Sequence, residues 1–134
     1  LREAGVARST LYSHFDNRDA LLLEALNGPL SIVAAAAVGA ADEQRLVGLL
    51  EHFWDQRRGA QDVLDGPLSK RLTRSLADLI VARDATLDRG DALRIADSLL
   101  GFVRLWISGE TPAPAQVVAR KMIASDEAQR AALR

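Results

Sequence analysis

Apolar side chains recur every three or four residues along most of the chain, which is the period of a helix buried on one face. No run of alternating β-branched residues bounded by turn residues interrupts this pattern, so the sequence predicts an all-α fold. Glycine, proline and Asp-Asn pairs mark the expected helix ends. The predicted helices lie near residues 7–14, 16–38, 42–58, 67–86, 91–108 and 113–124, with a short further helix from Asp126.

The first fifteen residues combine a turn signal with a polar helix face. Gly5 lies where two helical segments meet, and glycine adopts the left-handed backbone of such a turn without a Cβ clash. Val6, Leu11 and Phe15 then fall on one face that is suited to burial. The remaining side chains are rich in donors for phosphate oxygens and base edges: Arg8, Ser9, Thr10, Tyr12, Ser13 and His14. This polar face suits a segment that reads DNA, and an ordinary helical hairpin is the structural alternative.

Residues 4–22, A-G-V-A-R-S-T-L-Y-S-H-F-D-N-R-D-A-L-L, resemble the recognition helix and the following helix of TetR-family transcription regulators. The resemblance implies that helix 7–14 enters the major groove of DNA and that its N-terminal part reads bases. On this basis Arg8, Ser9 and Thr10 are the base-side candidates. A bidentate contact from Arg8 to guanine is typical of such readout.

The same resemblance places Tyr12, His14 and Arg18 at positions that the family uses for phosphate contact. Two residues depart from the family pattern. Ala7 stands where the family usually has a serine or threonine helix cap, and Ser9 stands where it often has glycine. The first departure weakens the start of the recognition helix, and the second adds a hydroxyl at the DNA surface.

The resemblance also implies a two-part organisation. Residues 1–27 are expected to be the C-terminal part of a helix-turn-helix DNA-binding domain, whose first helices are expected upstream of Leu1. Residues 28–134 are expected to be a helical ligand-binding and dimerisation domain. Pro29, behind Gly28, is expected to kink the connecting helix, either as a hinge or as an inert bend.

Outside the first fifteen residues, the aromatic residues lie on two predicted helices, two on each. If these helices pack together, the four rings make one cluster that either lines an apolar cavity or fills the core. Nearby polar side chains on the same helices are candidate contacts to a small apolar or amphipathic ligand. The candidate ligand-binding residues are His52, Phe53, Trp54, Arg57, Phe102 and Trp106.

Helix 91–108 is apolar on nearly all sides, so it must be covered by more than one neighbour. One face suits the core and another suits a partner subunit, while helix 113–124 carries a matching apolar stripe. A two-fold homodimer would place two recognition helices roughly 34 Å apart, which requires a near-palindromic DNA operator. The candidate interface residues are Leu100, Gly101, Val103, Arg104, Val118 and Met122.

Composition narrows the function classes only slightly. The net charge of -1 does not indicate a nucleic-acid binder, although a neutral effector domain dilutes the charge of a small basic head. The chain has no cysteine and two histidines, and it lacks spaced metal ligands and a glycine-rich phosphate loop. Ser13 and His14 diverge by about 100° on a helix, so they cannot form a nucleophile-base pair. We therefore expect neither catalysis nor a metal or other cofactor.

The longest run of small or apolar residues, Ile32 to Ala41, is shorter than the roughly twenty residues of a membrane-spanning helix. The sequence thus predicts a cytoplasmic protein without a membrane partner. Its expected function is sequence-specific regulation of transcription, as a repressor that a small ligand releases from its operator. The alternative is a helical protein-interaction adaptor that makes no functional use of DNA.

Overall fold

The computed structural model describes residues 2–133, with side chains from Arg18 to Leu133. These residues form helices and no strand, which confirms the predicted all-α class. The helix predicted to start at Asp126 is instead the last part of a longer helix. The six helices are α1 (Arg2–Ala37), α2 (Glu43–Asp55), α3 (Arg57–Asp65), α4 (Ser69–Arg83), α5 (Arg89–Ile107) and α6 (Ala115–Ala132).

Helix α1 is longer than predicted and runs without interruption from Arg2 to Ala37. The helix boundaries predicted at Gly5 and at Asp16-Asn17 are therefore wrong. A glycine inside a helix costs only about 1 kcal/mol relative to alanine, which good helix formers on both sides offset. Pro29 also lies inside α1, where its ring removes one backbone donor without ending the helix. The helix ends before Gly39, whose φ of 78° gives the left-handed turn of a helix C-terminus.

The helix predicted over residues 42–58 is divided into α2 and α3. Asp42 caps α2, since its side chain accepts a hydrogen bond from the Arg45 backbone N–H at 3.2 Å. Gln56 has a non-helical backbone and separates the two helices. Gly59, which was expected to end a helix, lies inside α3. After this break, α3 packs mainly on α5.

The core lies between α1, α4 and α5, with α6 packed on α1, α2 and α5. Three alanines of α1, Ala34, Ala36 and Ala37, are buried and let neighbouring helices approach closely. The largest fully buried apolar side chains come from α2, α4, α5 and α6, and they are Leu46, Leu50, Leu76, Ile80, Val103, Val118 and Met122.

Four of the six candidate dimer residues are buried inside one chain. Leu100 and Val103 of α5 and Val118 and Met122 of α6 all belong to the core. A partner subunit cannot reach these side chains, so their assignment to a partner surface is corrected. The period of an apolar helix does not itself distinguish the face toward the core from the face toward a partner.

The other two dimer candidates are partly exposed. Gly101 lies on the outer side of α5, where a Cβ would meet no atom of the chain. Arg104 is bound to α3, because its Nε lies 3.0 Å from a carboxylate oxygen of Asp65 and its Nη2 donates to the Leu64 carbonyl. Arg104 therefore ties α5 to α3 within one chain.

The segment Arg18–Ala37 of α1 has a mean hydropathy of 1.6 and is long and apolar enough to cross a membrane by length and composition. Its C-terminal half is covered by the chain itself, since Leu30 and Val33 are buried in the core. We therefore interpret this segment as the central helix of the core.

Candidate ligand cavity and DNA-reading segment

A cavity of about 300 Å³ lies between α1 and the helices that pack around it. Helix α1 supplies one wall through Leu26, Pro29, Leu30 and Val33. This volume is at the lower end of the range for small-molecule sites, about 300 to 1,000 Å³. The wall formed by α1 is notable because the same helix begins with the segment that resembles a DNA-reading element.

The remaining walls are also mainly apolar. Phe53 comes from α2, Val63 from α3, Leu72 from α4, and Val103 from α5. Such a lining favours an apolar ligand, because a charged group would lose its hydration without a countercharge. The cavity therefore brings five helices against a single ligand position.

Two polar side chains, His52 and Gln56, stand among the lining residues. Both are exposed and lie one helical turn apart where α2 gives way to α3, so they form the rim of the cavity. An imidazole and a carboxamide each offer a donor and an acceptor to a neutral polar group. No charged side chain lines this cavity within the described part of the chain. The geometry thus suits a ligand with an apolar body and one uncharged polar end.

Of the four aromatic residues predicted to form one cluster, only Phe53 lines the cavity. Phe53 lines the cavity, whereas Trp54 points away from it, since adjacent residues on a helix diverge by about 100°. Trp54 stacks on Trp106, with ring centroids 5.3 Å apart and a tilt of 32°. Phe102 is half-buried against the core and does not line the cavity.

The Trp54–Trp106 pair fastens α2 to the end of α5. Trp106 donates from Nε1 to the Ala113 carbonyl at 2.8 Å, which fixes its ring. Arg57 lies over the Trp54 ring at 4.7 Å from its centroid and donates to the Trp54 carbonyl. Arg57 is thus placed on a tryptophan at the surface rather than at the cavity.

The predicted DNA-binding side chains before Arg18 lie outside the described side chains, and the backbone that carries them is helical. These residues are Arg8, Ser9, Thr10, Tyr12, Ser13 and His14. Arg18, the remaining candidate, is exposed. Its neighbour Asp19 faces α4, where its carboxylate lies 3.9 Å from Arg71 Nη1.

Residues 1–25 match the family model described as bacterial regulatory proteins, tetR family. This match supports a TetR-family regulator. This family consists of DNA-binding transcription regulators with a helical helix-turn-helix head, and the match covers the segment in which the resemblance was found. Comparisons with curated proteins and with solved structures found no match.

Sequence reasoning missed most of the cavity wall. Leu26, Pro29 and Val63 line the cavity but carry no signal beyond ordinary apolar periodicity. The one available signal was Gly59-Ala60, a pair of small residues that leaves room beside the apolar side chains of α3. A cavity is a property of packing between helices, and a single helix pattern does not contain it.

A buried carboxyl group lies away from the cavity, on α6. Asp126 is 1% exposed, and neither of its carboxyl oxygens has a hydrogen-bond partner. Burial raises the pKa of Asp126 to about 7, against an opposing effect of Arg130. Asp126 does not line the cavity, so its protonation bears on stability rather than on ligand contact.

Proposed function

We propose that this TetR-family protein is a repressor that a small, uncharged, mainly apolar ligand releases from its DNA operator. The observation that carries the proposal is that Leu26, Pro29, Leu30 and Val33 of the cavity wall lie on α1. Residues 2–17 at the start of the same helix carry the segment proposed to read DNA. Ligand binding and DNA reading therefore act on one element.

The proposed mechanism is a shift between two positions of α1. A ligand changes DNA affinity only if it binds one of these positions better than the other. The cavity is lined by α1 together with α2, α3, α4 and α5, so a ligand there acts as a spacer between α1 and these helices. We propose that the position favoured by the ligand is the one that does not fit DNA.

Residues 1–27 are proposed as the reading part and residues 28–134 as the ligand-binding and dimerising part. A homodimer would present two reading segments roughly 34 Å apart to a near-palindromic operator. The proposed dimer surface is the outer side of α5, where Gly101 is accessible and Leu105 is 48% exposed. As a regulator of transcription, the protein is proposed to act in the cytoplasm.

The proposal is tested in two steps on the full-length protein. Selection of bound sequences from a random DNA pool should yield a near-palindromic operator. A thermal-shift screen of neutral apolar compounds should then find a ligand that raises Tm, because a ligand that prefers the folded state stabilises it.

The matched variants are Val63→Trp, which fills the cavity, and Val47→Trp, which adds the same ring on α2 outside the cavity lining. The ligand shift should disappear in Val63→Trp and persist in Val47→Trp. A pool without any enriched DNA would contradict the proposal and favour the helical adaptor. A ligand shift that survives in Val63→Trp would place the ligand outside this cavity.

A further inference from the structure

The first turns of α4 carry a concentration of positive charge that the fold does not use. Lys70, Arg71 and Arg74 are all exposed, and residues 66–77 contain no acidic residue. The whole chain has a net charge of -1, so this is a local departure from its charge balance. Within the described part of the chain, Lys70 and Arg74 form no ion pair, and Arg71 pairs only with Asp19. We call Lys70, Arg71 and Arg74 the α4 basic patch.

The packing of α4 on α1 places the α4 basic patch beside the DNA-reading end of the molecule. Arg71 Nη1 lies 3.9 Å from Asp19 Oδ2, and both side chains are about half exposed, at 50% and 46%. Asp19 directly follows the exposed Arg18 and falls within the residues that match the TetR family. The acidic residue farther along α4, Asp78, is bound to Arg89. Positive charge on α4 is therefore concentrated at the end that contacts residue 19.

Helix stability does not explain this arrangement. Cations are favourable near the C-terminus of a helix and unfavourable near its N-terminus, where the helix dipole is positive. The first turn of α4 has no acidic residue that would offset them. The pair between Arg71 and Asp19 is long and exposed, and such pairs contribute little to folding. The charges are thus better suited to an external polyanion than to the fold itself.

We propose that the α4 basic patch contacts the DNA phosphate backbone next to the groove that the reading segment enters. This inference rests on the proposed DNA-binding function and adds a second binding surface, supplied by the effector part of the chain. The surface continues from Arg18, a phosphate candidate, across Asp19 to Arg71. On DNA, Arg71 exchanges its weak contact with Asp19 for a phosphate. Phosphate contacts of this kind position the protein and are independent of sequence.

The experiment measures the salt dependence of DNA affinity for the full-length protein by fluorescence anisotropy. The probe is a duplex of about 30 base pairs, long enough for two half-sites one helical turn apart. The patch variant combines Lys70→Gln, Arg71→Gln and Arg74→Gln. Its control removes the same charge from exposed positions away from the patch: Arg45→Gln, Arg58→Gln and Arg83→Gln.

Each lost phosphate contact should reduce the slope of log affinity against log salt by about 0.9, which is about 2.7 for the three contacts of one subunit and about 5.4 for the dimer. The control variant should keep the wild-type slope, and both variants should keep the wild-type Tm and the wild-type preference among DNA sequences. Equal slopes for the patch variant and the wild type would overturn this inference while leaving the proposed function intact. A wild-type protein that binds no DNA would overturn both. A reduced slope of equal size in the control would also overturn it, because the effect would then reflect overall charge.

Discussion

Among residues 18–133, Asp126 is the charged residue whose side chain is buried, and this burial makes the stability of the fold depend on pH. Burial favours the neutral form and raises the pKa of Asp126 to about 7, and its carboxyl oxygens have no hydrogen-bond partner. Arg130, one turn farther along α6, opposes this effect, but its Nη2 also lies 3.9 Å from Asp84. Burial therefore dominates over the nearby cation.

The folded state holds the Asp126 proton up to a pH of about 7, whereas the ordinary value is 3.8. The folded state thus binds more protons than the unfolded state between these values, and the free energy of unfolding falls as pH rises through this interval. We expect Asp126→Asn to raise the free energy of unfolding above pH 7 by up to about 4 kcal/mol, since one pKa unit corresponds to about 1.4 kcal/mol. Urea unfolding of the variant and the wild type at a series of pH values measures this difference in the free energy of unfolding.

The control for this prediction is Asp97→Asn, an exposed position on α5. It should leave the pH dependence of the wild type unchanged. A profile for Asp126→Asn that falls as steeply as that of the wild type would contradict the assigned cause.

At the scale of helices, local sequence predicted most elements but not all of their ends. Helix α5 and the start of α2 next to Asp42 follow from periodicity and turn signals. The break at Gln56, where the backbone is non-helical, has no glycine or proline to mark it, and the packing of α3 on α5 joins residues that are distant in the sequence. Conversely, Gly5 and Asn17 mark breaks that α1 does not have. Breaker residues lower helix stability by about 1 kcal/mol, an amount that neighbouring residues and packing outweigh.

Alanine substitutions at two glycines, one near a helix end and one inside a helix, should change the stability of the fold in opposite directions. Gly39 has a φ of 78°, and a Cβ there would lie 2.7 Å from Arg130 Nη1. Gly39→Ala should destabilise the fold by about 1 kcal/mol or more, because alanine is strained in this conformation. Gly48 lies inside α2, where a Cβ would meet no atom of another helix, so Gly48→Ala should stabilise by about 0.5 to 1 kcal/mol. Denaturant unfolding of both variants measures the difference, and equal effects would contradict the assigned helix end.

At the scale of the whole molecule, the proposed dimer depends on a surface that the buried residues of α5 leave free. Leu105 is 48% exposed on the outer side of α5, one turn from Gly101. Leu105→Glu should shift the full-length protein from dimer to monomer without a change in helix content, since burying a carboxylate at an interface is unfavourable. Light scattering measures the mass. Leu133→Glu, at another exposed leucine, is the matched control and should remain a dimer.

Sequence reasoning reached the family through contiguous residues but did not find the cavity. The match over residues 1–25 depends on a local pattern, because the side chains of one helix face recur at regular spacing within a contiguous stretch of sequence. The cavity wall instead joins residues as distant as Leu26 and Val103, and such pairs share no local pattern. For the same reason the aromatic residues were grouped together, although only Phe53 of the four lines the cavity.

Filling the cavity should mimic the ligand and so test the coupling between the two parts of the molecule. Val63 of α3 lines the same cavity as Leu26 and Pro29 of α1, and Val63→Trp fills part of that cavity with an indole. If α1 has two positions, this variant favours the same position as a bound ligand does. The affinity for the operator should then fall about 5- to 150-fold in the absence of ligand, since this is the usual range of allosteric coupling. Fluorescence anisotropy with the selected operator measures this affinity, with Val47→Trp as the control of equal size.

A Val63→Trp protein that binds its operator as tightly as the wild type would show that cavity occupancy does not affect the reading segment. DNA binding would then be independent of the cavity, even if a ligand occupies it.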